Sequence, residues 1–208
     1  MYKRQYMYNF TFNIPTKIHF GKDTISSLSE LKAYGSKVLL VYGGGSIKKN
    51  GLYDTAMKIL KDAGLTVFEL SGVEPNPKIE IVRKGVEICK NEGIDMVLAI
   101  GGGSTIDCSK VVAAGARYDG DAWDLVLDGS KVKAALPIFD VLTLSATGTE
   151  MDPFAVISDM SKNEKWGTGS PYMVPTMSIL NPEYTFSVSK KQTAAGLSLI
   201  HISEPTRR

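Results

Sequence analysis

Short apolar runs alternate with amphipathic segments along the central part of the chain. Residues 37–42 and 96–100 are nearly continuous runs of aliphatic and β-branched residues, a pattern typical of strands buried on both faces of a sheet. Between them, apolar residues recur at helical spacing in 52–63 and in 78–92, with a strand predicted at 66–70. This strand and helix rhythm predicts an α/β fold with a parallel sheet and helices on both faces.

Further elements are predicted on either side of this central pattern. A short helix at 24–33 carries Ile25, Leu28 and Leu31. The remaining predictions are a helix at 105–116 and strands at 138–144, 155–158 and 177–180.

Two of the predicted strands end in the same four residues, Gly-Gly-Gly-Ser, at 43–46 and 101–104. Glycine lets backbone N–H groups approach an anion, and a following helix adds the positive end of its dipole, so each turn is a candidate phosphate cradle. The structural alternative is a tight connection that needs glycine for a positive φ. Neither turn matches the GxGxxG fingerprint, because Lys48 and Ile106 stand at the sixth position.

The composition narrows the class of protein. The chain has 208 residues, 43% of them hydrophobic, which is enough to bury a full core. Its 24 basic and 22 acidic side chains are nearly balanced, so no positive field marks a nucleic-acid binder. Cys89 and Cys108 form no CxxC pair, and neither the first 12 residues nor any later stretch has the apolar core of a signal peptide or a membrane span. The sequence predicts a cytoplasmic protein with a small-molecule partner and no nucleic-acid or membrane partner.

The second glycine turn belongs to an ordered set of motifs. Residues 101–110 read Gly-Gly-Gly-Ser-Thr-Ile-Asp-Cys-Ser-Lys, with Pro-Asn-Pro at 75–77 before them and Ala-Thr-Gly-Thr-Glu at 146–150 after them. In these motifs, and from about residue 8 to residue 196, the chain resembles the iron-containing alcohol dehydrogenase family, most of all its NADPH-dependent butanol dehydrogenases. The resemblance implies a Rossmann-like, dehydroquinate synthase-like nucleotide domain followed by an all-helical domain, with the cofactor in the cleft between them.

The same resemblance implies which residues hold the cofactor. The expected residues are Gly44, Gly45, Ser46, Asn76, Gly102, Gly103, Ser104, Asp107, Thr143, Thr147, Thr149 and Lys165. Among them, the second turn would hold the pyrophosphate and Asn76 would reach the adenosine side. The three threonines would contact the nicotinamide half, and Lys165 would lie close to its ribose.

Four of these residues also have a structural interpretation. Thr143 could be an ordinary strand residue, Lys165 a solvated charge, and Asn76 a turn former between prolines. Asp107 stands in a first helical turn, where the dipole stabilises any carboxylate, and it is three residues from Lys110, a spacing that also suits a surface ion pair.

The first glycine turn bears on the choice of nicotinamide. An acidic residue after the first strand of a dinucleotide fold accepts hydrogen bonds from the ribose hydroxyls of NAD, and its charge repels the 2′-phosphate of NADP. Many family members that use NAD carry aspartate where this chain has Gly43, and Ser46, Lys48 and Lys49 follow here. The lost charge and the added donors favour NADP(H) over NAD(H). The alternative is that the lysines are solvated at a helix start.

The family binds Fe²⁺ or Zn²⁺ through aspartate and histidine, and the metal acts as a Lewis acid on the alcohol oxygen. The family pattern after residues 194–196 continues T-x-D-x-x-x-H, which puts Leu199 and Ser203 at the two ligand positions. His201 is displaced from that register by two residues, or about 200° around a helix, and His19 lies in a predicted strand. We therefore expect no metal ligand and no catalytic residue in this chain.

The resemblance divides the chain into three segments. Residues 1–182 are expected to form the α/β dinucleotide-binding domain, and 183–196 to begin a truncated helical metal-binding domain. Residues 197–208 resemble a translated sequencing adapter and are expected to be a non-native tail.

The implied function is hydride transfer between NAD(P)H and a primary alcohol or aldehyde such as butanol or butyraldehyde. The intact enzyme would be a metal-dependent homodimer, while this chain would bind the cofactor only. Two alternatives remain: a metal-dependent lyase of the dehydroquinate synthase type, and a nucleotide-binding module without catalysis.

Overall fold

The computed structural model describes residue 11 and residues 13–202, with side chains described up to residue 196. What the sequence predicts for the first residues and for residues 203–208 of the expected tail lies outside this part of the chain. Within it, no helix combines the length and the apolar character needed to cross a membrane.

Eight strands occur in the described residues, and six of them form one sheet. The strands are β1 (Lys17–Phe20), β2 (Lys37–Tyr42), β3 (Thr66–Leu70), β4 (Met96–Gly101), β5 (Ile138–Leu142), β6 (Phe154–Asp159), β7 (Glu164–Gly169) and β8 (Met177–Leu180). The order across the sheet is β1, β8, β5, β4, β2, β3, and every neighbouring pair is parallel. The remaining strands, β6 and β7, form an antiparallel hairpin. The predicted parallel α/β sheet is confirmed.

Helices fill most connections between the parallel strands. The α-helices are α1 (Ser46–Lys49), α2 (Leu52–Asp62), α3 (Ile79–Glu92), α4 (Gly103–Gly115), α5 (Ala122–Leu127) and α6 (Lys190–Ile202). Shorter 3₁₀ helices occupy Thr24–Tyr34, Gly129–Lys131, Pro171–Met173 and Pro182–Thr185. The helix predicted at 24–33 is thus a 3₁₀ helix that buries Ile25, Leu28 and Leu31. Their spacing of three residues matches the three-residue turn of a 3₁₀ helix.

Both faces of the sheet are buried. On β2, Leu39 and Val41 join a core with residues of α3, α4 and α5, whereas Val38 and Leu40 join a second core with the first 3₁₀ helix and α2. This alternation explains why β2 and β4 read as continuous apolar runs, because neither face of a doubly covered strand meets water.

The region after β4 differs most from the sequence-based expectation. Strand β6 was predicted, but its partner β7 and helix α5 were not. The β7 sequence, Glu-Lys-Trp-Gly-Thr-Gly, has two glycines and one large apolar residue, so it lacks the alternation typical of strands. It is a strand because it pairs with β6 along its whole length. Tertiary pairing here overrides a weak local preference.

Candidate nucleotide-binding site

The second glycine turn joins β4 to α4. Gly102 is the N-cap of α4 in an extended conformation, and its carbonyl oxygen accepts from the N–H groups of Thr105 and Ile106 at 3.0 and 3.2 Å. The N–H groups of Gly103 and Ser104 precede these first helical bonds and lie at the positive end of the helix dipole. They can therefore hold an anion.

Close packing, and not unusual backbone angles, requires glycine in this turn. No glycine from 101 to 103 has a positive φ. A Cβ on Gly101 would lie 2.5 Å from the Thr105 hydroxyl oxygen, and one on Gly103 would lie 2.9 Å from the Thr147 hydroxyl oxygen. At Gly102 the nearest atom would be Leu144 Cβ at 3.2 Å. The positive-φ alternative for this turn is therefore wrong.

A depression of about 270 Å³ opens beside the start of α4. It is lined by Asn76, Pro77, Gly103, Ser104, Asp107, Thr147, Val156 and Lys165. Six of these are residues that the sequence predicts for cofactor binding, and they come from four separate segments of the chain. Ligand pockets usually measure roughly 300 to 1,000 Å³, so this depression is just below the usual size for a whole ligand.

Two of the lining residues bridge the depression. Lys165 on β7 donates from Nζ to Asn76 Oδ1 at 2.6 Å, which ties the hairpin to the loop after β3. Lys165 is exposed but has this partner, so it is more than a solvated charge. Asn76 has a φ of 57°, so it does form a turn, and it also lines the depression.

Asp107 faces the depression, but its carboxylate is engaged inside the protein. One oxygen accepts from the Thr149 hydroxyl at 2.7 Å, and the other accepts from the Val156 N–H at 3.0 Å. Burial raises the pKa of Asp107 despite these two bonds. Asp107 thus links α4 to the β5–β6 connection and to β6, and a cofactor contact by Asp107 stays a prediction.

The surface ion pair suggested for Asp107 and Lys110 is wrong. The Lys110 side chain is 0% exposed, and its ion pair is with Asp152 at 2.8 Å. Its ammonium also donates to the Thr149 hydroxyl at 2.9 Å and to the carbonyl oxygens of Asp152 and Phe154 at 2.8 Å. Burial lowers the pKa of Lys110, while Asp152 opposes that shift. Lys110 is a buried cross-link between α4 and both the β5–β6 connection and the first residue of β6.

The other two predicted threonines lie behind or beside the depression. Thr149 is buried and uses its hydroxyl for both Asp107 and Lys110. Thr143 lies just beyond β5, where its N–H donates to the Gly101 carbonyl oxygen at 2.9 Å. The strand predicted to reach residue 144 therefore ends at Leu142.

The first glycine turn follows β2, whose carboxyl end lies beside that of β4. Gly45 has a φ of 98° and is the N-cap of α1, while Gly44 and Gly45 have open space where a Cβ would stand. A Cβ on Gly43 would lie 3.1 Å from the Val73 carbonyl oxygen. Gly44, Gly45 and Ser46 thus reach the same sheet edge as the second turn but lie outside the depression.

Lys48 after this turn is not a simple solvated lysine. Its ammonium lies 5.0 Å from the ring centre of Tyr42 and 4.5 Å from that of Tyr53, and 4.0 Å from a Glu69 oxygen. Both tyrosine hydroxyls donate to the same glutamate, at 2.6 and 2.8 Å. Lys49 has no such cluster around it among the described contacts.

The described residues do not fit the metal that the family binds. They contain no group of three or more histidine, cysteine, aspartate or glutamate side chains that could hold an ion. His19 lies 3.1 Å from the Ser27 hydroxyl and 3.3 Å from Glu30, as expected for a structural residue. His201 is in α6, and its side chain lies outside the described part of the chain.

Three contributors to the site were missed at the sequence level. Val156 lines the depression and donates to Asp107 from its backbone, a role that no side-chain pattern reveals. Asp152 and Lys110 form the ion pair behind it. The usable clue was Lys110 itself, since it is a charged residue followed directly by the small and apolar residues 111–115 of the same helix.

Comparison with known proteins gives a consistent result. A family model described as iron-containing alcohol dehydrogenase matches residues 15–182. The chain is 60% identical over 191 residues to NADH-dependent butanol dehydrogenase A of Clostridium acetobutylicum, a match that covers 91% of this chain and 49% of that protein. It is 38% identical over 203 residues to the NADPH-dependent aldehyde reductase YqhD of Escherichia coli, covering 95% of this chain and 52% of that protein.

Solved structures agree with the sequence matches. The crystal structure of NADH-dependent butanol dehydrogenase A from Thermotoga maritima superposes with a TM-score of 0.89 at 48% identity, over 94% of this chain and 50% of that chain. The structure of YqhD from E. coli gives a TM-score of 0.87 at 38% identity, over 93% and 50% respectively. The chain spans about half the length of the relatives it matches.

Proposed function

The chain belongs to the iron-containing alcohol dehydrogenase family, and we propose that it is the nicotinamide-binding half of an oxidoreductase. The complete enzyme transfers a hydride between NAD(P)H and a primary alcohol or aldehyde, such as butanol or butyraldehyde. The names of its relatives, butanol dehydrogenase and aldehyde reductase, support this substrate class. The observation that carries the proposal is the meeting of six expected cofactor residues at one depression beside α4.

In this proposal, different residues of the depression bind different parts of the cofactor. The N–H groups of Gly103 and Ser104 receive the pyrophosphate, where the helix dipole favours negative charge. Asn76 contacts the adenosine side, and Thr147 and Lys165 contact the nicotinamide half. The bound nicotinamide supplies the hydride chemistry. The protein residues bind it and fix its orientation, which accounts for a large share of a catalysed rate.

We further propose that NADPH is preferred over NADH, because Gly43 leaves no carboxylate to repel a 2′-phosphate. Ser46 and Lys49 supply the donors, since Lys48 is engaged by two tyrosine rings and Glu69. The relatives that are 54% to 60% identical are named for NADH, whereas the NADPH-dependent YqhD is 38% identical. The preference therefore rests on the turn itself, and direct titration of both cofactors decides it.

We propose that the metal ligands of the complete enzyme do not lie among the described residues of this chain. Residues 1–182 form the dinucleotide domain, residues 183–196 begin the helical metal-binding domain, and residues 197–208 are a non-native tail. The metal ligands then belong to sequence beyond the described residues, so this chain alone binds cofactor without turnover. We propose that the complete protein is a homodimer and that it is cytoplasmic, and the two free cysteines of this chain agree with a reducing compartment.

The test of the proposed function uses the complete gene product, expressed with its native sequence beyond residue 196 and loaded with Fe²⁺ or Zn²⁺. We expect NADPH oxidation that depends on butyraldehyde. A lyase of the dehydroquinate synthase type would show no aldehyde-dependent oxidation, and that result would overturn the proposal. The 208-residue chain, assayed in parallel, should bind NADPH without oxidising it.

A further inference from the structure

A carboxyl group is buried in the main sheet, behind the connection that leads to the cofactor depression. Asp140 on β5 is 1% exposed, and its neighbours across the sheet are Ala99 of β4 and Ser178 of β8. Its second oxygen, Oδ1, has no hydrogen-bond partner among the described residues. An ionised carboxylate left without partners in such a place is costly, whereas a neutral acid is much less so.

The contacts of Ser178 fix where a proton must be. Its hydroxyl oxygen lies 2.6 Å from Asp140 Oδ2 and 2.7 Å from the carbonyl oxygen of Glu150. Both are O–H···O distances, so each gap requires a proton. The serine hydroxyl has only one proton, and the carbonyl can only accept. If Ser178 donates to Glu150, the proton in the other gap belongs to Asp140.

The surrounding charges agree with a neutral acid. The charged groups that act on Asp140 are Glu150 of the β5–β6 connection and Lys110 of α4, while β4 and β8 present uncharged Ala99 and Ser178. Lys110 has three N–H donors, and four acceptors on other residues already surround its ammonium. Burial raises the pKa of Asp140 well above its ordinary value, and the charge of Glu150 acts in the same direction.

We propose that Asp140 is a neutral carboxylic acid at neutral pH and that, through Ser178, it positions the β5–β6 connection that carries Thr147 and Thr149. Asp140 is a positioning residue, since its own contacts are with Ser178 and not with the depression. The positioning role rests on the proposed function of that depression, but the protonation state does not. The two can therefore fail separately.

The protonation state has a signature in the pH dependence of unfolding of the 208-residue chain. Between the ordinary pKa of an aspartate and the raised native value, the folded chain holds one proton more than the unfolded chain. Stability therefore falls as pH rises through that window, by about tenfold in the unfolding constant per pH unit. Asp140→Asn, which keeps the shape of the neutral acid, removes this term, and all other titrating groups cancel in the comparison. We expect the free energy of unfolding of the variant, relative to that of the wild type, to increase steadily as pH rises from 5 to about 7.

Infrared spectroscopy reports the protonation state of Asp140 directly, which measurements of stability alone do not. The wild-type chain at neutral pH should show the carbonyl stretch of a protonated carboxylic acid, and Asp140→Asn should remove one such band. A wild type without any protonated carboxyl at neutral pH, or a difference in stability that does not vary with pH, would overturn the proposal. If Asp140→Asn does not fold, Asp107→Asn, which removes the other described carboxyl whose pKa is raised by burial, should leave a protonated-carboxyl band in place, and loss of every such band in that variant would overturn the proposal.

The positioning role is tested by amide hydrogen exchange, without any cofactor. Ser178→Ala should accelerate exchange in residues 147–151 by at least about tenfold, because the connection loses its bond to the sheet. Ser109→Ala is the matched control, since Ser109 is equally buried but bonds only within α4, to the Thr105 carbonyl oxygen. Equal exchange of residues 147–151 in the two variants would show that Ser178 and Asp140 position nothing. That result would leave the proposed cofactor site intact.

Discussion

At the scale of single residues, Gly43 is the position where one substitution should change cofactor choice. Gly43→Asp would place a carboxylate beside the 2′-phosphate of NADPH. The repulsion between two neighbouring negative charges is on the order of 1 kcal/mol even with solvent screening. The new Cβ would lie 3.1 Å from the Val73 carbonyl oxygen, so a shift of a few tenths of an ångström accommodates it. We expect the preference for NADPH to move towards NADH by at least about tenfold, which corresponds to about 1.4 kcal/mol.

The measurement is a titration of both cofactors against a complete enzyme that carries each variant. Gly43→Asn is the matched control, because it adds the same bulk without the charge and should leave the preference close to that of the wild type. Equal cofactor affinities in the wild type, or the same change in both variants, would show that the turn does not read the ribose.

Lys110 should matter for stability far more than a surface lysine. Lys110→Met removes four hydrogen bonds and leaves the Asp152 carboxylate without its cation. We expect a loss of about 2 to 4 kcal/mol in the free energy of unfolding. Lys58→Met, which breaks the exposed pair with Asp62, should cost less than about 1 kcal/mol. Denaturant unfolding of both variants is the test, and similar losses would contradict a structural role for Lys110.

At the scale of elements, substitutions of two glycines, one on α3 facing α4 and one at the start of α4, should show that stability and cofactor binding depend on different parts of this helix pair. Gly85 of α3 packs against α4, where a Cβ would lie 2.7 Å from Val112 Cγ2 and 2.8 Å from Leu70 Cδ2. Gly85→Ala should therefore destabilise the chain by about 1 to 3 kcal/mol and leave the affinity for NADPH nearly unchanged. Gly103→Ala should weaken binding more than it destabilises the chain, since the Thr147 hydroxyl that lies 2.9 Å from the new Cβ belongs to an exposed side chain that can move.

Thermal unfolding and a fluorescence titration with NADPH measure the two effects. We expect Gly103→Ala to weaken binding by about tenfold or more, because the methyl group fills the place where the pyrophosphate approaches the backbone. If both variants lose affinity in proportion to their lost stability, the start of α4 is only a packing element.

The strands also show how much of the fold can be predicted from the sequence. The apolar runs predicted β2, β4 and β8 closely, because strands buried on both faces have a strong local pattern. The same approach missed β7, whose Trp166 stands among glycines and charges and whose pairing with β6 is a tertiary property. The cofactor residues were predicted from ordered motifs, whereas the contacts of Asp140 and Val156 form only in the folded chain and have no local sequence pattern.

At the scale of the whole molecule, the carboxyl edge of the sheet carries exposed apolar surface. Phe20 at the end of β1 is 72% exposed, and Phe186 after β8 is 78% exposed. Exposed apolar patches promote association, so we expect light scattering of the 208-residue chain to show ill-defined oligomers. Phe20→Ser with Phe186→Ser should reduce them, whereas Met160→Ser, which removes a 60% exposed side chain near the β6–β7 turn, should not. A monodisperse wild-type monomer would contradict this expectation.

We propose that the start of α4 and the residues around it bind a nicotinamide dinucleotide. Amide hydrogen exchange of the 208-residue chain, measured with and without saturating NADPH, tests it most directly. We expect slower exchange of the amides of Asn76, Gly103, Ser104 and Asp107, which line the depression, and no change in the 3₁₀ helix Thr24–Tyr34 on the other face of the sheet. Unchanged exchange at residues 102–107 under saturation, or protection confined to another part of the chain, would contradict the claim.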